Sequence, residues 1–208
     1  MTIHLRHISR LLAIATLSVL VSGCFMPVRF DTEIEITRTG YYKFIFDGYI
    51  AKVDLFDNVN QNRITSDEEN EKAAEILTSL RNDPNASDVE YVKKGHFKIH
   101  WEREGDILRA KTVTFLRRNE FIYGISYNHE SGRVGLTGRS ISKKQKAQIN
   151  SLGLPMSGNI RVITDANVVT HNASQVKKYY KKGPKFKMYS WKLENIFAPT
   201  PSMIIALH

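Results

Sequence analysis

Residues 28–37 alternate without a break. Val28, Phe30, Thr32, Ile34 and Ile36 fall on one face, and Arg29, Asp31, Glu33, Glu35 and Thr37 fall on the other. A period of two is that of a strand with one face buried and one wet. Arg38-Thr39-Gly40 turns the chain, with Gly40 supplying the permissive backbone. Residues 41–56 then predict a second, antiparallel strand that is apolar on both faces: Tyr42, Phe44, Phe46 and Ile50 against Ile45, Tyr49, Ala51 and Val53. Such a strand lies centrally, under a helix or another layer. Gly48 marks a bend or bulge within it. The rest of the fold has to be built on this buried hairpin.

After a polar loop, Ser66-Asp67-Glu68-Glu69 reads as a capping box. Ala73, Ile76, Leu77 and Leu80 follow at helical spacing, and Asn82-Asp83-Pro84 stops the helix. Residues 89–128 predict a meander. Its strands are 89–92, 97–101, 107–116 and 121–127, with turns at Lys94-Gly95, Glu104-Gly105-Asp106 and Arg117-Arg118-Asn119. Residues 129–138 leave room for one edge strand. Ser142 to Gln145 is a second capping box, opening a short helix through Ala147, Ile149 and Leu152, with Gly153 at its C′ position. Residues 159–164 and 167–170 predict a hairpin or bent strand pair around Asp165. Residues 175–187 form a basic loop, and 188–193 and 203–207 are the last strands. No repeat or linker interrupts this pattern. It predicts one α+β domain over residues 28–208: a large antiparallel sheet, begun by the hairpin and continued by the central meander, with two helices packed on one side.

Ahead of the hairpin the chain has a different character. Residues 1–10 are basic through Arg6 and Arg10 and free of acid. Residues 11–21 are an apolar run too short to span a bilayer comfortably, and small residues follow. Val21-Ser22-Gly23-Cys24 closes this leader and holds the only cysteine of the chain. These four residues resemble the lipobox of bacterial lipoproteins. The resemblance implies a signal peptide over 1–23, a diacylglycerol thioether on Cys24, and cleavage that leaves Cys24 as the acylated N-terminus. Residues 24–27 are then a short lipidated tether. With three acyl chains, as the family usually carries, such anchoring is stable. The tether lets the domain stand off by no more than roughly 15 Å, so the domain is expected to lie on the bilayer instead of reaching across the periplasm. Phe25 after the cysteine, in place of Asp, implies the outer membrane facing the periplasm over the inner membrane.

No cysteine remains for a disulfide, so the fold has to hold by burial alone. The formal charge of +9 directs an exported protein to phospholipid headgroups, anionic glycolipids or cell-wall polymers before nucleic acid. The strongest local feature is the run 177–187. Here Lys177, Lys178, Lys181, Lys182, Lys185 and Lys187 are interleaved with Tyr179, Tyr180 and Phe186. Aromatics prefer the membrane interface and clustered lysines are attracted to anionic lipid. The alternative is a solvated hairpin loop.

His96 and His100 share a strand face, but four strand residues span about 13 Å, too far for one metal. His129 and His171 sit near turns and His208 is terminal. No metal, cofactor or catalytic residue is expected. There is no nucleophile elbow, and Gly135-Leu136-Thr137-Gly138 lacks the lysine and serine of a phosphate loop. Trp101 and Trp191 are expected in the core or at a sheet edge.

Past the lipobox, the layout is similar to the LppM-type domain of bacterial lipoproteins. The matching stretches are residues 30–48, then residues 158–170 with Tyr189-Ser190-Trp191-Lys192-Leu193. The resemblance implies a lipid-contacting α+β module concerned with envelope glycolipid or phospholipid, and transfers no catalytic residue. The expected function is that of a membrane-anchored, non-enzymatic envelope lipoprotein. It would bind lipid, glycolipid or an anionic surface close to the bilayer. The alternative is a structural or assembly subunit of a multiprotein envelope complex. The shape and lining of any pocket between the helix at 66–81 and the sheet would discriminate, since an apolar cavity there favours lipid transfer and a solid core favours a scaffold.

Overall fold

A computed structural model of the chain describes residues 25–116, 122–138 and 141–207. The leader, Cys24, the expected turn at 117–119, Arg139, Ser140 and His208 lie outside the described residues. The alternating segment becomes β1 (Phe25–Ile36). It pairs antiparallel with β2 (Tyr41–Lys52), Ile34 opposite Phe44 and Ile36 opposite Tyr42. Gly40 closes the turn at a φ of +90°. Phe25, Met26 and Pro27, expected as a tether, are instead the first residues of β1, opposite Lys52, Ala51 and Ile50. The register shifts between Pro27 and Arg29, so Val28 is the extra residue of a bulge.

β2 ends at Lys52, four residues earlier than expected, and α1 (Val53–Asn60) follows. The helical turn lets Leu55 join the main core while Val53 and Phe56 join a second apolar cluster, which an extended chain would not do. α2 (Ser66–Arg81) is capped one residue ahead of the expected box. The Thr65 hydroxyl accepts from the Glu68 amide, and Glu68 accepts from the Thr65 amide at 2.7 Å. Glu69 is thereby released to accept from the Tyr91 hydroxyl and the Lys94 amide.

The remaining strands are β3 (Ala86–Lys93), β4 (His96–Asp106), β5 (Thr112–Phe115), β6 (Tyr123–Asn128), β7 (Arg133–Gly138), β8 (Ser157–Thr164), β9 (Asn167–His171), β10 (Gln175–Lys178), β11 (Lys187–Leu193) and β12 (Met203–Ala206). The class is α+β, as expected, but the strands divide between two sheets. Seven follow the order β10-β11-β8-β1-β2-β4-β3 and five follow β5-β6-β7-β12-β9. One pair, β1 with β8, is parallel. The expected meander breaks at a one-turn helix, α3 (Ile107–Ala110), where Asp106 accepts from the Leu108 amide and Lys111 takes a φ of +59°. β4 stays in the large sheet and β5 starts the small one. Likewise β8 and β9 are not a hairpin, because the turn at Asp165 carries the chain from one sheet to the other. The strand at 133–138 is internal to its sheet, not an edge.

The inner faces of the two sheets bury the main core. Phe115 stacks on Phe46 at 3.9 Å between ring centroids and meets Trp101 edge-on at 5.5 Å. α2 adds Ala73 and Leu80 to this core. α4 (Lys143–Ser151), with the expected Ser142–Gln145 box, instead brings Ile149 to the second cluster, with Met26, Val28, Ala51, Val53 and Phe56. Ala51 points away from Ile50 by the strand alternation, so the two helices do not share a side. Among the described residues no helix is long and apolar enough to cross a membrane.

Candidate functional site

Beside the first residues of β1 the packed layers leave an apolar cleft of about 80 Å³. Phe25, Pro27, Phe30, Phe46, Phe115, Ile160 and Leu193 form much of its lining, and Ala198-Pro199-Thr200-Pro201 closes one wall. Phe30 takes its place there because its partners on both neighbouring strands are glycines, Gly48 on β2 and Gly158 on β8. A Cβ on Gly158 would stand 2.6 Å from the Phe30 ring, and one on Gly48 would stand 2.4 Å from the Arg29 carbonyl oxygen.

The polar groups of the cleft are few and partly engaged. The Tyr123 hydroxyl donates to the Pro201 carbonyl at 3.0 Å, and burial pushes its pKa well above the ordinary value. Among the described residues, Lys146, from α4, brings the only formal charge to the lining. The cleft is smaller than the roughly 150 Å³ that holds a benzene ring in an apolar cavity. It accommodates a few methylenes, and a longer chain requires side chains to move aside.

The run 177–187 is the end of a hairpin. β10 is an edge strand paired antiparallel with β11, and Lys178 lies directly opposite Lys187. The Tyr179 amide donates to the Phe186 carbonyl at 2.8 Å, and Tyr180 to Lys182 form a single 3-10 turn. Tyr180 is 66% exposed, while Tyr179 and Phe186 are half-buried. Lys178 sits 5.9 Å from the Tyr180 ring centroid, and Lys182 pairs with Glu35 at 3.1 Å. Lys177, Lys181, Lys185 and Lys187 form no ion pair among the described residues. The expected basic loop is thus part strand and part tip, and its nine named residues are brought together at one place.

That place is remote from the cleft. Thr164 lies beside Ile36 on one side and Lys187 on the other. The hairpin tip therefore stands at the Ile36 end of β1, whereas the cleft surrounds its Phe25 end.

Between the two ends, the outer face of the large sheet carries a ladder in which carboxylates outnumber the cations that meet them. Lys43 meets Glu102 at 2.7 Å, Arg161 meets Asp31 at 2.6 Å and Glu33 at 3.4 Å, and His100 meets Asp47 at 3.2 Å. The Glu102 partner raises the pKa of Lys43. His96 turns to the Lys93 and Lys94 carbonyls and is not gathered with His100. Among the described residues no three His, Cys, Asp or Glu side chains group to hold a metal. Trp101 and Trp191 are buried, and their indole N–H groups donate to Asp83 and Asn172.

Cys24 lies just ahead of the described residues, next to Phe25. Sequence reasoning missed the cleft, whose walls come from strands of both sheets, α4 and the loop after β11. The readable signal was Pro199 and Pro201, a stiff segment between two apolar strands.

No family model matches the chain, and no curated protein matches it. Among solved structures it is similar to the folded domain of the LppM protein of Mycobacterium tuberculosis, with 12% identity, a TM-score of 0.45, and coverage of 86% of this chain and 88% of that one. It is also similar to an M1 zinc metallopeptidase of Deinococcus radiodurans, with 7% identity and a TM-score of 0.39, covering 88% of this chain and 42% of that one.

Proposed function

We propose that this chain is a lipid-anchored, non-enzymatic protein of the bacterial cell envelope that holds an apolar segment of lipid or glycolipid close to its anchor. The observation that carries this reading is the apolar cleft lined by Phe25, Met26 and Pro27, the three residues after the acylation candidate Cys24. A lipid drawn from the bilayer would meet the cleft before any other part of the domain. In this reading the partner is the membrane, reached through acyl chains on Cys24, in the outer membrane facing the periplasm.

Two measurements test it. Metabolic labelling with a clickable palmitate should mark the wild-type chain, and Cys24→Ser should lose both the label and the membrane fraction. A Cys24→Ala chain should bind a fluorescent long-chain phospholipid, and Ile160→Trp, which fills the cleft, should reduce that binding at least tenfold. Absence of binding by the unfilled chain sinks the lipid-holding role.

A second reading, a subunit of an envelope assembly, is favoured by β9. This strand is an edge of the smaller sheet, and its Val169 is 45% exposed. Unpaired edges are templates for another chain. Crosslinking in cells that returns a stoichiometric protein through β9 would support this reading.

A further inference from the structure

We infer that the domain stands upright instead of lying on the anchoring bilayer, and that its lysine-rich hairpin tip engages an anionic lipid surface facing the one that carries the anchor where the two approach within the length of the domain. The inference rests on the anchoring reading above for the position of the first membrane. Its geometry is independent of that reading. β1 has 12 residues, which places its two ends about 35 Å apart. Phe25, next to Cys24, is at one end. The tip is fastened to the other by the Lys182–Glu35 pair, Glu35 being the residue before the last of β1.

Charge is distributed to match. Along the outer face between the ends, cations and carboxylates are paired. At the tip, Lys177, Lys181, Lys185 and Lys187 have no carboxylate partner among the described residues, and Lys178 faces Lys187 across the hairpin. Like charges directly opposed weaken a strand pair, and an external polyanion relieves that repulsion. A lipid surface fits better than a polymer because the tip also presents Tyr180, two-thirds exposed with the Lys178 ammonium near its ring. Amphipathic aromatic rings settle at headgroup level. Within about a Debye length the lysines reach only a surface that the tip itself faces.

The test uses the full chain tethered through its single cysteine, Cys24, to a maleimide lipid in neutral phosphatidylcholine vesicles. This gives the anchored geometry whether or not the cell acylates the residue. Failure of acylation and failure of this inference are therefore distinguishable. Anionic vesicles containing phosphatidylglycerol are then added, and docking is read by energy transfer between dyes in the two populations.

Docking is expected at low salt, with at least a tenfold loss in the variant Lys177→Gln, Lys178→Gln, Lys181→Gln, Lys185→Gln. All four side chains are exposed, and circular dichroism confirms that the variant is folded. The control Lys143→Gln, Lys144→Gln should dock as the parent does. No docking, or docking unchanged by the tip variant, overturns the inference. Capture of a soluble phosphate polymer without capture of anionic vesicles overturns the assignment to lipid.

Discussion

Gly158 lies against the ring of Phe30, and the ring occupies the space that a Cβ would need, 2.6 Å away. The pair joins β8 to β1 in parallel register and fixes one wall of the cleft. Gly158→Ala should push Phe30 off its stack on Phe46, a pair whose ring centroids are now 5.6 Å apart and whose planes are nearly parallel. Overpacking of this kind costs about 1–3 kcal/mol. Urea denaturation of the variant should show a lower midpoint with an unchanged slope. A midpoint equal to that of the parent would mean that the ring is free to move.

Phe115 is the contact through which the small sheet holds the large one, touching both Phe46 and Trp101. It is fully buried. Phe115→Ala should cost about 3–5 kcal/mol, and Phe115→Leu distinctly less. The order of the two denaturation midpoints checks this, and it also tests whether both sheets unfold in one transition.

The first turn of α4 carries Lys143 and Lys144 and no acid, against the helix dipole, whereas α2 begins with Asp67, Glu68 and Glu69. Lys143→Glu and Lys144→Glu should each stabilise the fold by about 0.3–1 kcal/mol. Thermal melting at low and high salt should show the gain and its screening.

Tyr41 and Tyr91 are both pushed up to about 12. Burial is the main cause, and their hydrogen bonds to Glu104 and Glu69 add to it. A folded pKa raised above the unfolded value of 10 means that the native state holds the proton longer. Their contribution to stability is complete below pH 10 and is lost as pH rises from there to about 12. Chemical denaturation at stepped pH should show stability falling in that window, with a shallower fall in Tyr91→Phe. Absorbance of tyrosinate should show a delayed fraction in the native protein that joins the ordinary titration once the chain is unfolded.

The first hairpin was legible because its alternation is local. Both the polar side of β1 and the two-faced β2 follow from residues a few positions apart. The Ser142 box and Gly153 were legible for the same reason. What the residues did not disclose was pairing at long range. Asp165 looks like a hairpin turn between two short strands, and only the pairing of β8 with β1 and of β9 with β12 sends them to different sheets. The stretch at 107–116 has strand composition throughout. Asp106, by capping four residues into a helical turn, hands its second half to the other layer. At the basic run the residues were visible, but not their separation from Phe25, which depends on β11 returning antiparallel along β8. The cleft was hidden because segments distant in the chain, from both sheets, α4 and the loop after β11, build it.

β1 is the middle strand of the larger sheet, flanked by β2 running against it and β8 running with it. A pull on the chain ahead of Phe25 is directed along the axis of that strand. The ladder hydrogen bonds on both sides lie across the pull, so they are loaded together in shear and not opened one by one as at a frayed edge. The domain is therefore suited to bearing tension applied ahead of Phe25, where the strand least able to peel away begins.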